Sequence, residues 1–117
     1  MTVEESSGWR SKIKNELKSS GVRFLDPTDR YCDGSNIIQV VEADKKDVES
    51  SDLIVVNYLG PSVGTSMEML YAYNLNIPIA TIIPYGVSVS PWLTYHSDFI
   101  MSSVDEVIEF LKCDQNL

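Results

Sequence analysis

The chain has 117 residues, 44% of them apolar and 22% charged, enough for one globular domain that buries roughly two-thirds of its unfolded surface. Seventeen acidic against nine basic side chains give a formal net charge of −8, which argues against a surface for nucleic-acid polymers but leaves room for a small anion held by a local loop. No apolar run approaches membrane-spanning length and no leader pattern opens the sequence, while Cys32 and Cys113 stand in no metal or redox spacing. A cytoplasmic protein with reduced thiols and no metal or organic cofactor is expected.

In chain order, residues 1 to 7 read as loose. From Gly8 to Ser20 the apolar positions Trp9, Ile13 and Leu17 recur every fourth residue between Lys and Glu, which predicts an amphipathic helix ended near Gly21. Val22 to Leu25 has the character of a short strand, left through the turn Asp26-Pro27-Thr28-Asp29. The loop from Arg30 to Ser35 carries Tyr31, an aromatic that either stacks on a ligand ring or packs on the surface. Asn36 to Ser51 reads as a helix with Ile37, Val40, Val41, Asp44 and Val48 along one side. Asp44 therefore falls on an inward stripe, where a carboxylate costs desolvation unless it caps, pairs or works in a site.

The centre of the chain carries the most chemistry. Leu53-Ile54-Val55-Val56 is a continuous branched run of the kind buried on both faces of a parallel sheet, Met67 to Leu75 is helix-forming, and Ile77 to Ile83 is a second apolar run. Between strand and helix lies Gly60-Pro61-Ser62-Val63-Gly64-Thr65-Ser66-Met67-Glu68. Small residues let a ligand approach the backbone, Ser62, Thr65 and Ser66 bring hydroxyls, and the helix start brings free N–H groups with a partial positive charge. In open α/β sheets ligands bind at such strand ends. Glu68 has two readings: a nucleophile or base beside a sugar-binding loop, or the acid of a capping box in which Thr65 is the cap.

Beyond it, Pro84 to Ser88 is a loop, and Pro91-Trp92-Leu93-Thr94-Tyr95-His96 follows. His96 is the only histidine, so no Ser-His or Cys-His system can be built with a spare and no zinc site is credible; a structural or interface role is expected. Phe99 to Met101 reads as a short edge strand, and Ser103-Val104-Asp105-Glu106 as the capped start of a last helix packed through Val107, Ile108 and Leu111.

Taken together, Trp9-Arg10, Leu25-Asp26-Pro27, Asp44 to Val48, Ser51-Asp52 to Asn57, Pro61 to Glu68, Tyr71-Ala72 and Ile77-Pro78-Ile79 resemble the core of the nucleoside 2-deoxyribosyltransferase superfamily. That superfamily includes base-exchanging transferases and nucleoside 5′-monophosphate N-glycosidases. The resemblance implies a flavodoxin-like three-layer α/β sandwich with a mostly parallel sheet of about four to five strands, spanning residues 1–117 as one domain. It implies Glu68 as the nucleophile at the anomeric carbon and Asp44 as the acid that helps the base leave. It further implies Ser62, Gly64, Thr65 and Ser66 as phosphate and sugar contacts, with Arg10 and Tyr31 as further binding residues. Serine at position 62, where the transferases tend to carry an acid, favours a nucleotide over a nucleoside. Members usually open with a strand of the type Ile-Tyr-Leu-Ala-Gly-Pro, for which this sequence has no counterpart before Trp9, so that strand is expected to be absent. The resemblance also implies a homodimer. Two functions follow from these residues: cleavage or transfer of the N-glycosidic bond of a (deoxy)nucleoside 5′-monophosphate, or nucleotide binding by a module without turnover.

Overall fold

The computed structural model describes residues 3–26 and 36–113. Along them run α1 (Val3–Leu17), α2 (Ile37–Glu49), β1 (Ile54–Asn57), α3 (Val63–Asn74), β2 (Ile79–Ile82), α4 (Pro91–Tyr95), β3 (Phe99–Met101) and α5 (Val104–Cys113). The turn and loop expected from Pro27 to Ser35, Tyr31 included, and the end of the C-terminal tail lie outside the described residues.

The three strands form a parallel sheet in the order β1-β2-β3, with Ile54 opposite Ile79, Asn57 opposite Ile82, and Ala80 opposite Phe99. All four residues of β2 are buried, as expected for the central strand of a parallel sheet covered on both faces. Side chains alternate across a strand, and the core divides accordingly. Ile82 and Val55 meet Ile13 and Leu17 of α1 and Val107, Ile108 and Leu111 of α5 on one face. Ile54, Val56 and Ile79 meet Val48 of α2 and Met69 and Ala72 of α3 on the other. The result is the flavodoxin-like α/β arrangement of helices, sheet and helices.

Among the described residues the sheet has three strands. The expected strand from Val22 to Leu25 makes no ladder, although Phe24 packs against the α1/α5 side of the core. Its residue types suit a strand, but a strand is defined by a hydrogen-bonded neighbour, and β1 pairs only with β2. What fixes this segment is charge: Asp26, 6% exposed at its side chain, lies 2.8 Å from Lys14 Nζ and 3.5 Å from Arg10 Nε of α1.

α1 begins at Val3 rather than Gly8, so part of the stretch expected to be loose is helical, and Gly21 follows it at φ +85°, a conformation glycine tolerates. The sequence pattern names no element over Pro91–Tyr95, where α4 forms. Ser90 caps it by accepting the Trp92 N–H at 3.2 Å, and Pro91 stands at the first helical position, where its missing N–H costs nothing. This short helix is tied to the sheet through its far end. Ser97 donates to the Leu93 carbonyl at 2.7 Å, leaving fully buried Thr81 as donor to Ser97 across another 2.7 Å. Asp98 then exchanges two bonds with Ile79, accepting its N–H at 2.8 Å and donating to its carbonyl at 2.9 Å.

Candidate functional site

A cavity of about 1090 Å³ opens at the carboxyl end of β1. Its walls come from Trp9 and Arg10 of α1, from β1 and the following residues Tyr58 to Ser62, from α3 as far as Leu70, and from Ser88 to Ser90, Trp92, Leu93 and His96. Tyr58 still donates to the Ile82 carbonyl at 3.0 Å, so the chain leaves the sheet just beyond it. Gly60 makes the turn at φ +130°, a backbone conformation that an L side chain would strain.

Ser62, not Thr65, is the cap of α3. It has extended backbone, and its Oγ accepts the Thr65 N–H at 3.3 Å. The helix therefore starts at Val63, four residues before the expected Met67. Ser66 adds a bond from its hydroxyl to the Ser62 carbonyl at 2.8 Å. Both serines thus use part of their polar capacity in building the helix start, while the first N–H groups of the helix have no acceptor within it.

The shift of cap decides between the two readings of Glu68. The acid of a capping box is the third helical residue, whereas Glu68 is the sixth when the helix begins at Val63. The capping-box reading is therefore corrected. Glu68 is half-buried and lines the cavity together with Ser62, Thr65 and Ser66. Gly64, also expected as a contact, is exposed on the first turn and is not part of the lining.

Arg10 stands in the cavity wall with its guanidinium 4.6 Å from the Trp9 ring centroid and its Nε toward Asp26. It is thus held, rather than loose in solvent. Asp44 is half-buried on α2 and does not line the cavity. α2 precedes β1 and α3 follows it, so both helices run against the strand direction and parallel to each other. Val48 packs with Met69 and Ala72, and Tyr71 donates to Glu49. Asp44 stands one helical turn before Val48, and Glu68 one turn before Ala72. Of the helix side that carries Asp44, Val48 is buried and Val40 half-buried, but Ile37 and Val41 are exposed, because only the last turns of α2 overlie the short sheet.

The opposite flank of α3 carries aromatics that spacing arguments had not gathered into one group. Tyr73 packs edge-on against His96 at 4.7 Å and meets Tyr95 at 5.8 Å, and the Trp92 and His96 rings lie nearly parallel at 6.0 Å. His96 Nδ1 is 2.7 Å from the Trp92 carbonyl, so that nitrogen carries the proton and donates. Ser90-Pro91, a cap followed by proline, was the sequence signal for the helix that assembles this cluster.

Among the described residues no group of His, Cys, Asp and Glu could hold a metal ion, and no helix is long and apolar enough to cross a membrane. No family model matches the chain, and no curated protein matches it. Among solved structures it is similar to the CMP N-glycosidase BcmB of Clostridium botulinum, with a TM-score of 0.61 over 94% of this chain and 91% of that one. The likeness establishes the fold. At 17% identity it assigns no residue a role.

Proposed function

We propose that the cavity binds a nucleoside 5′-monophosphate and that Glu68 cleaves its N-glycosidic bond. The observation that carries this reading is the position of Glu68: a half-buried carboxylate at the sixth position of α3, in the same cavity as the hydroxyls of Ser62, Thr65 and Ser66. The start of α3 suits a phosphate, because its N–H groups and dipole favour an anion, and Arg10 adds a cation in the wall. The fold is that of a protein described as a CMP N-glycosidase, which supports a nucleotide as the ligand.

In this reaction a Glu68 oxygen attacks the anomeric carbon as the carbon–nitrogen bond breaks, and the bonding pair leaves with the base. Asp44 supplies the proton that the departing base takes up. Water, or the ring nitrogen of a second base, then attacks the anomeric carbon and gives its proton back to the Asp44 carboxylate, which opens the glycosyl ester and restores Glu68. Asp44 enters through the resemblance, and by its place one helical turn before Val48, as Glu68 is one turn before Ala72.

The test is chromatography of free base after incubation with a panel of nucleosides and 5′-monophosphates. The expected result is release from a monophosphate by the wild type and none by Glu68→Ala. A folded protein that releases no base from any of them overturns the reading.

A second reading is favoured by one observation, that among the described residues β1 pairs with β2 alone. A site lacking a neighbouring strand there can bind without turning over. It predicts thermal stabilisation by monophosphates without base release, in Glu68→Ala as in the wild type.

The proposal includes a homodimer. Support comes from exposed Tyr73 and Tyr95, which meet between α3 and α4, and from exposed Met67, Leu70 and Trp92, which also line the cavity, since exposed apolar side chains gathered in this way mark an interaction surface. Light scattering should give twice the monomer mass for the wild type and the monomer mass for Leu70→Glu. A monomeric wild type removes the dimer.

A further inference from the structure

The two acids assigned to the reaction stand on different helices, so something must fix how far one helix slides along the other. Apolar packing does this poorly, because it has no direction. α2 has Val48 as its one buried residue among those described, and Ile37, Ile38 and Val41 near its start are exposed. A directional contact is found at its other end. The Tyr71 hydroxyl of α3 donates to the Glu49 carboxylate, the last residue of α2, and the Lys45 ammonium stands 5.4 Å from the Tyr71 ring centroid. The ring also packs against the cluster of Val48, Met69 and Ala72. Tyr71 is thus gripped from α2 on its polar end and on its face.

We infer that Tyr71 is a positioning residue: through Glu49 and Lys45 it locks α2 in register with α3 and so sets the spacing between Asp44 and Glu68. The inference rests on the roles proposed above for those two acids. Tyr71 does not line the cavity. Its bond to Glu49, followed by burial, holds its pKa above the ordinary 10.0, so the hydroxyl remains a donor through the neutral range.

Tyr71→Phe keeps the ring, its packing and the face toward Lys45, and removes only the hydroxyl. Displacement of a reacting group by an ångström costs up to about 100-fold in rate, so kcat for base release should fall roughly 10- to 100-fold while KM is little changed. Glu49→Gln keeps an acceptor for the hydroxyl and should retain the rate, whereas Glu49→Ala should reproduce the loss. The deciding comparison places Tyr71→Phe in an Asp44→Asn background. A residue that acts through Asp44 has nothing further to lose there, so the second substitution should leave kcat where Asp44→Asn put it.

A Tyr71→Phe protein with the wild-type kcat overturns the inference while leaving the proposed reaction standing. The same fold-loss in both backgrounds also overturns it, since that would mark a general structural effect. A wild type that releases no base refutes the underlying reaction, and this inference with it.

Discussion

Replacing Ser62 by alanine separates the cap of α3 from the acid that follows it. The Ser62 Oγ accepts the Thr65 N–H at the start of a twelve-residue helix that forms one wall of the cavity. Loss of a serine cap costs about 1 kcal/mol, and replacement by glycine only a few tenths. For 117 residues the unfolding entropy near the melting temperature is about 0.25 kcal/mol/K, so Ser62→Ala should lower Tm by about 4 °C. Thr65→Ala, which removes no cap, should stay within about 0.5 kcal/mol. Glu68→Ala should lower Tm by less than Ser62→Ala does, because the sixth helical position is outside the capping box and alanine is a good helix former. Thermal unfolding followed by circular dichroism measures all three. If Thr65→Ala and Glu68→Ala each cost as much as Ser62→Ala, then Glu68 is consumed in capping and the case for its chemistry falls.

Two further expectations concern stability. Leu17, 1% exposed where α1 meets α5, should cost about 2–5 kcal/mol as Leu17→Ala; the urea midpoint should fall without a change of slope, and a loss below about 1 kcal/mol would contradict the core described. Glu106 is held below its ordinary 4.5 by hydrogen bonds from the Ser102 hydroxyl and then the Ser102 N–H. Its contribution to stability is therefore complete above 4.5 and is lost as pH falls through the lowered value. Glu106→Gln should melt below the wild type near neutrality, and the difference should close in acid; a difference constant with pH would refute the assignment.

Much of this architecture was legible in the sequence because periodicity reports burial. Ile13 and Leu17 in the first helix, the fully buried β2, and Val107, Ile108 and Leu111 in the last helix fall where their spacing put them. The misplaced features depend on partners that a local pattern does not name. Val22 to Leu25 has strand composition, but nothing in those residues says whether a neighbouring strand will pair with them. Both Ser62 and Thr65 are good caps, and the acid three residues after Thr65 drew the choice to the wrong one. The chain direction after Gly60 and Pro61 decided it instead. The start of α1 was hidden because Glu4 to Gly8 carries no apolar rhythm. Within the site, the loop hydroxyls and Glu68 were readable from their order. The grip of Glu49 and Lys45 on Tyr71 was not, since it joins residues from two helices across the intervening strand.

The central claim is that Glu68 attacks a sugar, and the covalent ester it forms is the most direct thing to measure. Protein incubated with the monophosphate it cleaves, quenched in acid and digested, should yield the peptide containing Glu68 heavier by the mass of the phosphorylated sugar. Glu68→Ala should give no such peptide. Base release that continues undiminished in Glu68→Ala, with no adduct at position 68 in the wild type, would contradict the account.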